Sequence, residues 1–157
     1  MRQNWRAETE RQAHALRGGL REFIRRSKSA GTLTPEVVMA YAALNITDDG
    51  GTPIQPAAHH VLWLTLMCDE RIRKLLIIAP PESAKTTWTV SAFLGCYIGF
   101  YPERSVIIGS TSGPVAEKRA MSLRSAVDSG SWRLTFPGVE PVRAAEGFIA
   151  VDAETRK

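Results

Sequence analysis

The chain has 157 residues, of which 44% are hydrophobic and 23% are charged, with 20 Lys and Arg against 16 Asp and Glu. This composition is typical of a folded globular protein and excludes a disordered tail, and the length suggests one domain. No apolar run reaches the roughly 18 residues of a membrane-spanning helix, and the charged N-terminus lacks the apolar segment of a secretory signal. Cys68 and Cys96 lie far apart, with no His or Cys at ligand spacing, and predict buried thiols in a reducing cytosol.

The first segment, residues 1–31, is predicted to be a basic helical lead-in to the rest of the chain, residues 32–157. Residues 1–30 carry eight basic and three acidic side chains, so the net charge of +4 is concentrated there. Apolar residues recur at helical spacing, from Trp5 through Leu16 and Leu20 to Phe23, with Arg between them. One or two amphipathic helices with a basic face are expected. That face is either solvated surface or a contact for phosphates or an acidic partner.

Two more helices are predicted before the middle of the chain. Thr34-Pro35-Glu36 supplies an N-cap oxygen, a proline at the first helical position and an acid in the first turn, which predicts a helix to about Leu44. Residues 45–55 are rich in Gly and Asp and predict a loop. Pro56 then begins a second helix that ends near Asp69.

The following stretch changes its period from helical to strand-like. Residues 74–79 form a continuous apolar run bounded by charge and by Pro80-Pro81, which is the pattern of a strand buried on both faces. The predicted elements in order are strand 74–79, helix 86–100, strand 104–110, helix 115–127, and two short strand candidates at about 140–143 and 147–151. Alternating strands and helices predict an α/β fold with a parallel sheet and a right-handed crossover.

The turn after the first strand carries the strongest chemical signal. Residues 79–86, Ala-Pro-Pro-Glu-Ser-Ala-Lys-Thr, match the spacing, the lysine and the hydroxyl of the phosphate-binding pattern G-x-x-x-x-G-K-[ST], with alanine in place of both glycines. Such a loop aims backbone N–H groups and a helix N-terminus at phosphates, while Lys reaches the terminal oxygens and the hydroxyl binds Mg²⁺. Ala84 suits this loop only if its φ stays negative, because a Cβ at positive φ costs roughly 1–2 kcal/mol. An ordinary turn with a surface lysine is the alternative.

Taken with their surroundings, these residues resemble the large terminase subunits of tailed bacteriophages, the ATPases that pump DNA into procapsids. The resemblance covers about residues 56–127. It rests on Pro56 with His59-His60, the apolar run 75–79, the loop 80–87, Tyr101-Pro102 and the run 106–112 with Ala116-Glu117.

The resemblance implies the N-terminal part of an ASCE-type P-loop NTPase domain that binds ATP and Mg²⁺. Ser83, Ala84, Lys85, Thr86 and Thr87 would form the phosphate cradle, and Thr86 would also bind the magnesium. His60, with Pro56 or His59, would lie near the adenine, and Ser110–Ser112 would couple nucleotide state to DNA. Double-stranded DNA, the small terminase subunit and the portal protein are the implied partners, in a homo-oligomer in the cytoplasm of the host bacterium.

Two departures from the family pattern concern catalysis. Glu82 stands where family loops commonly carry an Arg, and a carboxylate there repels phosphate unless it faces away. No apolar strand ends in the acidic pair that activates water; Asp152 is the nearest imitation and is better explained by an edge hairpin. The chain is therefore expected to be the front part of a larger ATPase that lacks the catalytic acid and the nuclease domain.

Two other functions stay open. The first is another P-loop NTPase, helicase-like or a small-molecule kinase. The second is a non-catalytic module in which the basic helices bind DNA or a partner and the loop is only structural.

Overall fold

The computed structural model describes the backbone of residues 2–110, 112–142 and 150–153, and the side chains of residues 10–110 and 112–140. The described residues form six α-helices, one π-helical segment and two short strands. In chain order they are α1 Arg2–Ser29, α2 Pro35–Asn45, α3 Ala58–Cys68, the π segment Thr87–Leu94, α4 Gly95–Phe100, α5 Gly113–Val127, α6 Gly130–Thr135, β1 Val139–Val142 and β2 Ala150–Ala153. None of the described helices is both long and apolar enough to cross a membrane.

The basic lead-in is one continuous helix, α1, which Gly18-Gly19 does not interrupt. Its C-terminal half packs on the body of the protein: Ile24 is buried and α1 contacts α2 and α6. Two basic side chains hydrogen-bond α1 to the body. Lys28 Nζ donates to the Gly99 carbonyl at 2.6 Å, and Arg25 Nη2 donates to the Leu134 carbonyl at 2.9 Å. Burial lowers the pKa of Lys28, with Glu103 acting in the opposite direction.

The helix predictions for the first hundred residues are confirmed. Thr34 caps α2 by accepting the Val37 N–H at 3.4 Å, with Pro35 as the first helical residue. The helix expected over 86–100 is present, but its first part, Thr87–Leu94, has the wider π register. A helix over 115–127 is also present as α5.

The π segment and α4 form the centre of the core. Glycines at positions 95 and 99 lie one turn apart and let bulky rings approach: a Cβ at Gly95 would collide with Tyr41 of α2, and one at Gly99 with the ring of Phe136. Trp132 is fully buried and donates its indole N–H to the Gly95 carbonyl at 2.9 Å. The sequence gives no prediction of α6, the short helix that places Trp132; it begins where Ser129 accepts the Trp132 N–H at 3.2 Å.

The prediction of an α/β P-loop fold with a parallel sheet is wrong. The structure is mostly helical, and in the described residues neither 74–79 nor 104–110 is a strand. Both runs are without regular secondary structure and form no ladder with another described segment, and Leu76, Ile78 and Ile107 are 81%, 86% and 94% exposed. An apolar run becomes a strand only when a neighbour accepts its backbone hydrogen bonds, and the described residues supply no such neighbour.

The sheet that the described residues do contain is a pair of antiparallel strands near the C-terminus. Val139 pairs with Ala153, and Val142 pairs with Ala150. Asp152 lies opposite Glu140 in this register, so it does not end a parallel strand beside the loop. Residues 143–149 of the predicted strand candidates lie outside the described residues.

Candidate functional site

The loop 80–86 passes directly into the central helix of the core. The first hydrogen bond of this helix joins the Trp88 N–H to the Ala84 carbonyl at 3.0 Å. The amides of residues 84–87 therefore come before the first helical hydrogen bond. Among the described residues, no backbone carbonyl outside the helices accepts a hydrogen bond from any of these four amides. Free N–H groups at the start of a helix, with the positive end of its dipole, attract anions.

The side chains of the loop add four polar groups to these amides. Lys85 is exposed and forms no ion pair with any described residue. Thr86 and Thr87 are half-buried. Ser83 Oγ is buried, and no described group bonds to it. Because a buried hydroxyl without a partner costs free energy, an incoming phosphate oxygen that bonds it relieves a local deficit.

The loop holds two residues in the left-handed region. Glu82 has φ 63° and Ala84 has φ 51°. The condition of a negative φ at Ala84 is therefore not met: the backbone adopts a glycine-like conformation while carrying a Cβ. Left-handed residues within a turn are one component of the concave arrangements of N–H groups that bind anions.

His60 meets this loop from α3, although it lies 23 residues away in the chain. Its Nε2 lies 2.9 Å from the Ser83 carbonyl, and its Nδ1 accepts the Ala57 N–H at 2.9 Å. The ring is only 6% exposed and stacks on Trp88, with centroids 5.2 Å apart and planes at 22°. His59, by contrast, is exposed. Of the residues predicted as a site, the structure thus joins His60 to the loop 83–87.

Magnesium could have Thr86 as a ligand from this chain. The described residues contain no group of three or more His, Cys, Asp or Glu side chains that could hold a metal ion. Mg²⁺ bound with ATP takes most of its ligands from phosphate oxygens and water, so a single hydroxyl fits that role. The other predicted element, Ser110–Ser112, precedes α5; Ser110 and Ser112 are exposed, and residue 111 lies outside the described residues.

A second feature, which is not predicted from the sequence, is a cavity of about 790 Å³ beside the C-terminal part of the helix that follows the loop. Phe93, Tyr97 and Tyr101, spaced four residues apart, form one wall. The Arg104 guanidinium lies 4.1 Å from the Tyr101 ring centroid and donates to Tyr97 Oη at 3.2 Å. The aromatic spacing i, i+4, i+8 is the signal that could have found it.

Both cysteines are free thiols. Cys68 borders the cavity and is half-buried, and burial raises its pKa to about 12, with Glu36 adding to the rise. Cys96 is fully buried in the core, and burial raises its pKa as well. Neither is a reactive thiolate at neutral pH.

Comparisons of the chain with protein families, with curated proteins and with solved structures found no match.

Proposed function

We propose that the loop Ser83–Thr87 binds the phosphates of ATP·Mg²⁺, and that the chain is the ATP-binding part of a phage or prophage large terminase subunit. In that role it couples ATP hydrolysis to the movement of double-stranded DNA during genome packaging, in the cytoplasm of the host. The small terminase subunit, the portal protein and further copies of the chain are its partners in this proposal.

The observation that carries the proposal is the convergence of donors at one helix start. The amides of residues 84–87, which have no backbone acceptor among the described residues, lie beside Lys85, which pairs with no described side chain, and the hydroxyls of Thr86 and Ser83. A polyphosphate offers acceptors and negative charge to the amides and the lysine, whereas an uncharged ligand leaves the lysine and the helix dipole without a partner. The Lys-Thr order of the motif and the flanking residues that resemble terminases favour ATP among polyphosphates.

We expect nucleotide binding without appreciable turnover by these 157 residues. Phosphoryl transfer to water needs a group that positions or activates the water, besides charge neutralisation. Lys85 and Thr86 supply charge and a metal ligand, but no carboxylate of the described side chains bonds to the loop residues 83–87.

The proposal is tested by calorimetric titration of the whole chain with ATP·Mg²⁺, ADP·Mg²⁺ and adenosine. Lys85→Ala should weaken ATP binding by roughly 10- to 100-fold, because a hydrogen bond to a charged group contributes about 1.5–3 kcal/mol. Lys118→Ala is the matched control, since Lys118 is an equally exposed lysine on α5. Adenosine should bind far more weakly than ATP.

Two results would overturn the proposal: no heat of binding at millimolar ATP, or equal affinities for Lys85→Ala and Lys118→Ala. Phosphate release is measured in parallel, with and without DNA. Robust turnover that Lys85→Ala abolishes would place a catalytic acid in the chain and refute the expectation of binding alone.

One observation favours a second function, DNA or partner binding by α1 without catalysis. Every described side chain from Glu10 to Gly19 is exposed, so this part of α1 stands clear of the body with Arg17 available. Anisotropy of a labelled duplex distinguishes the two functions. DNA binding that falls with salt and with Arg17→Ala, in a chain that binds no ATP, identifies the binding module.

A further inference from the structure

The hydrogen bonds of His60 fix its tautomer. Nδ1 faces the Ala57 N–H at 2.9 Å and must accept, because that backbone group can only donate. The ring proton therefore sits on Nε2, which faces the Ser83 carbonyl at 2.9 Å and donates to it. A neutral imidazole with the proton on Nε2 satisfies both backbone groups.

The ring has no nitrogen left for a nucleotide. His60 is 6% exposed, its ring stacks on Trp88, and the rings of His59 and Trp63 lie 3.9 Å and 5.2 Å away between centroids. These contacts restrain the imidazole, so its Nε2–H stays aimed at the loop. Both ring nitrogens of His60 thus bond to backbone groups, one of them in the loop, and its position near the adenine stays a prediction.

The carbonyl that His60 holds is the one between the two left-handed residues of the loop. Ser83 is flanked by Glu82 at φ 63° and Ala84 at φ 51°. Non-glycine residues persist in this region only when the surrounding structure imposes it. The Ser83 carbonyl is also the group to which the Thr87 N–H would bond if the helix began one residue earlier. Ala84 at positive φ does not extend the helix backwards, so the first helical bond accepts at the Ala84 carbonyl, and His60 Nε2, not the Thr87 N–H, meets the Ser83 carbonyl.

We propose that His60 is a positioning residue: by donating its Nε2–H to the Ser83 carbonyl, it holds the loop Ser83–Thr87 in the conformation that presents its amides to phosphate. This inference rests on the proposed function, because the loop it positions is the proposed ATP site. It assigns His60 a role that requires no contact with the nucleotide.

Two conservative variants separate the two hydrogen bonds. His60→Gln keeps an amide donor at the reach of Nε2, and His60→Asn keeps a carbonyl acceptor at the position of Nδ1 but cannot reach Ser83. His60→Asn should raise the Kd for ATP·Mg²⁺ about tenfold, the equivalent of one lost hydrogen bond with relaxation of the loop. His60→Gln should stay within about threefold of the parent chain. His14→Asn, at an exposed histidine on α1, is the matched control and should change nothing.

A merely structural histidine gives a different pattern. In that case Tm and affinity fall together in both variants, without rescue by the donor in His60→Gln. Equal affinity of His60→Asn and the parent chain, in a protein whose Lys85→Ala variant loses ATP, overturns the positioning role and leaves the ATP site intact.

The hydrogen bond from His60 to Ser83 can also be measured without nucleotide. Long-range ¹H–¹⁵N NMR of the imidazole should show a single neutral form of His60, with the proton on Nε2. A proton on Nδ1, or averaging between the two tautomers as expected for exposed His59, would refute the hydrogen bond to Ser83 whatever the fate of the ATP proposal.

Discussion

The loop 80–87 and the apolar run 74–79 are consecutive in the chain, and neither is helical over most of its length, yet the protein holds them differently. The loop is tied to another helix by the bond between His60 and Ser83 and supported beneath by buried Trp88. The run has no regular secondary structure, with Leu76 and Ile78 facing solvent and no strand beside it in the described part of the chain. A turn can be fixed by one or two tertiary contacts, whereas a strand needs a whole row of partners.

The largest expected effect is the loss of the loop's support. Trp88→Ala should lower the free energy of unfolding by about 3–5 kcal/mol, because the indole is 2% exposed and its removal opens a cavity under His60. Ile78→Ala is the matched control in the run, where an 86% exposed side chain should cost no more than about 0.5 kcal/mol. Urea denaturation followed by circular dichroism measures both. A loss at Ile78 close to that at Trp88 would mean that the run is packed in solution.

The difference between these two regions also explains which parts of the structure could be predicted. The start of α2 is local, since Thr34, Pro35 and Glu36 act within one turn. The apolar pattern of the runs 74–79 and 104–110 predicts strands, but pairing depends on distant segments that the pattern does not specify. The short helix α6 was missed because its decisive contact, Trp132 with the Gly95 carbonyl, joins residues 37 apart.

The same reasoning applies to the candidate site. The motif located Ser83 to Thr87 because the order of lysine and hydroxyl is a local signal. The left-handed Ala84 and the bond from His60 could not be derived from spacing, since one is a conformation imposed by tertiary contacts and the other links two helices. The resemblance predicts that His60 belongs to the site, near the adenine, whereas the structure shows its bond to the Ser83 carbonyl.

A smaller effect is expected from relieving strain in the loop. Ala84→Gly removes a Cβ from a residue at φ 51°, a gain of roughly 1–2 kcal/mol, against roughly 0.5–1 kcal/mol for the greater freedom of glycine in the unfolded chain. The net result should be a stabilisation of about 0.5–1 kcal/mol, with ATP affinity kept or improved.

Ala116→Gly serves as the control because Ala116 lies within α5, where glycine should destabilise by about 1 kcal/mol. The two substitutions are chemically identical and should change the denaturation midpoint in opposite directions. Destabilisation by both would show that Ala84 has an ordinary helical or extended conformation in solution, and would remove the anion-binding curvature from the loop.

The smallest change in stability is expected at Ile107, in the second apolar run, 104–110. A substitution there should change self-association more than stability. Ile107 is 94% exposed between half-buried Val106 and Ile108, so the run alternates like a strand with one face on the core. An unpaired, apolar, β-branched segment is prone to edge-to-edge association. Ile107→Lys should leave the free energy of unfolding within about 0.5 kcal/mol and reduce concentration-dependent light scattering.

Ile108→Lys, which buries a charge against the core, should instead destabilise the fold. If the two lysine variants are equally destabilised, both faces of the run are covered in solution and the contrast between the loop and the apolar runs no longer holds.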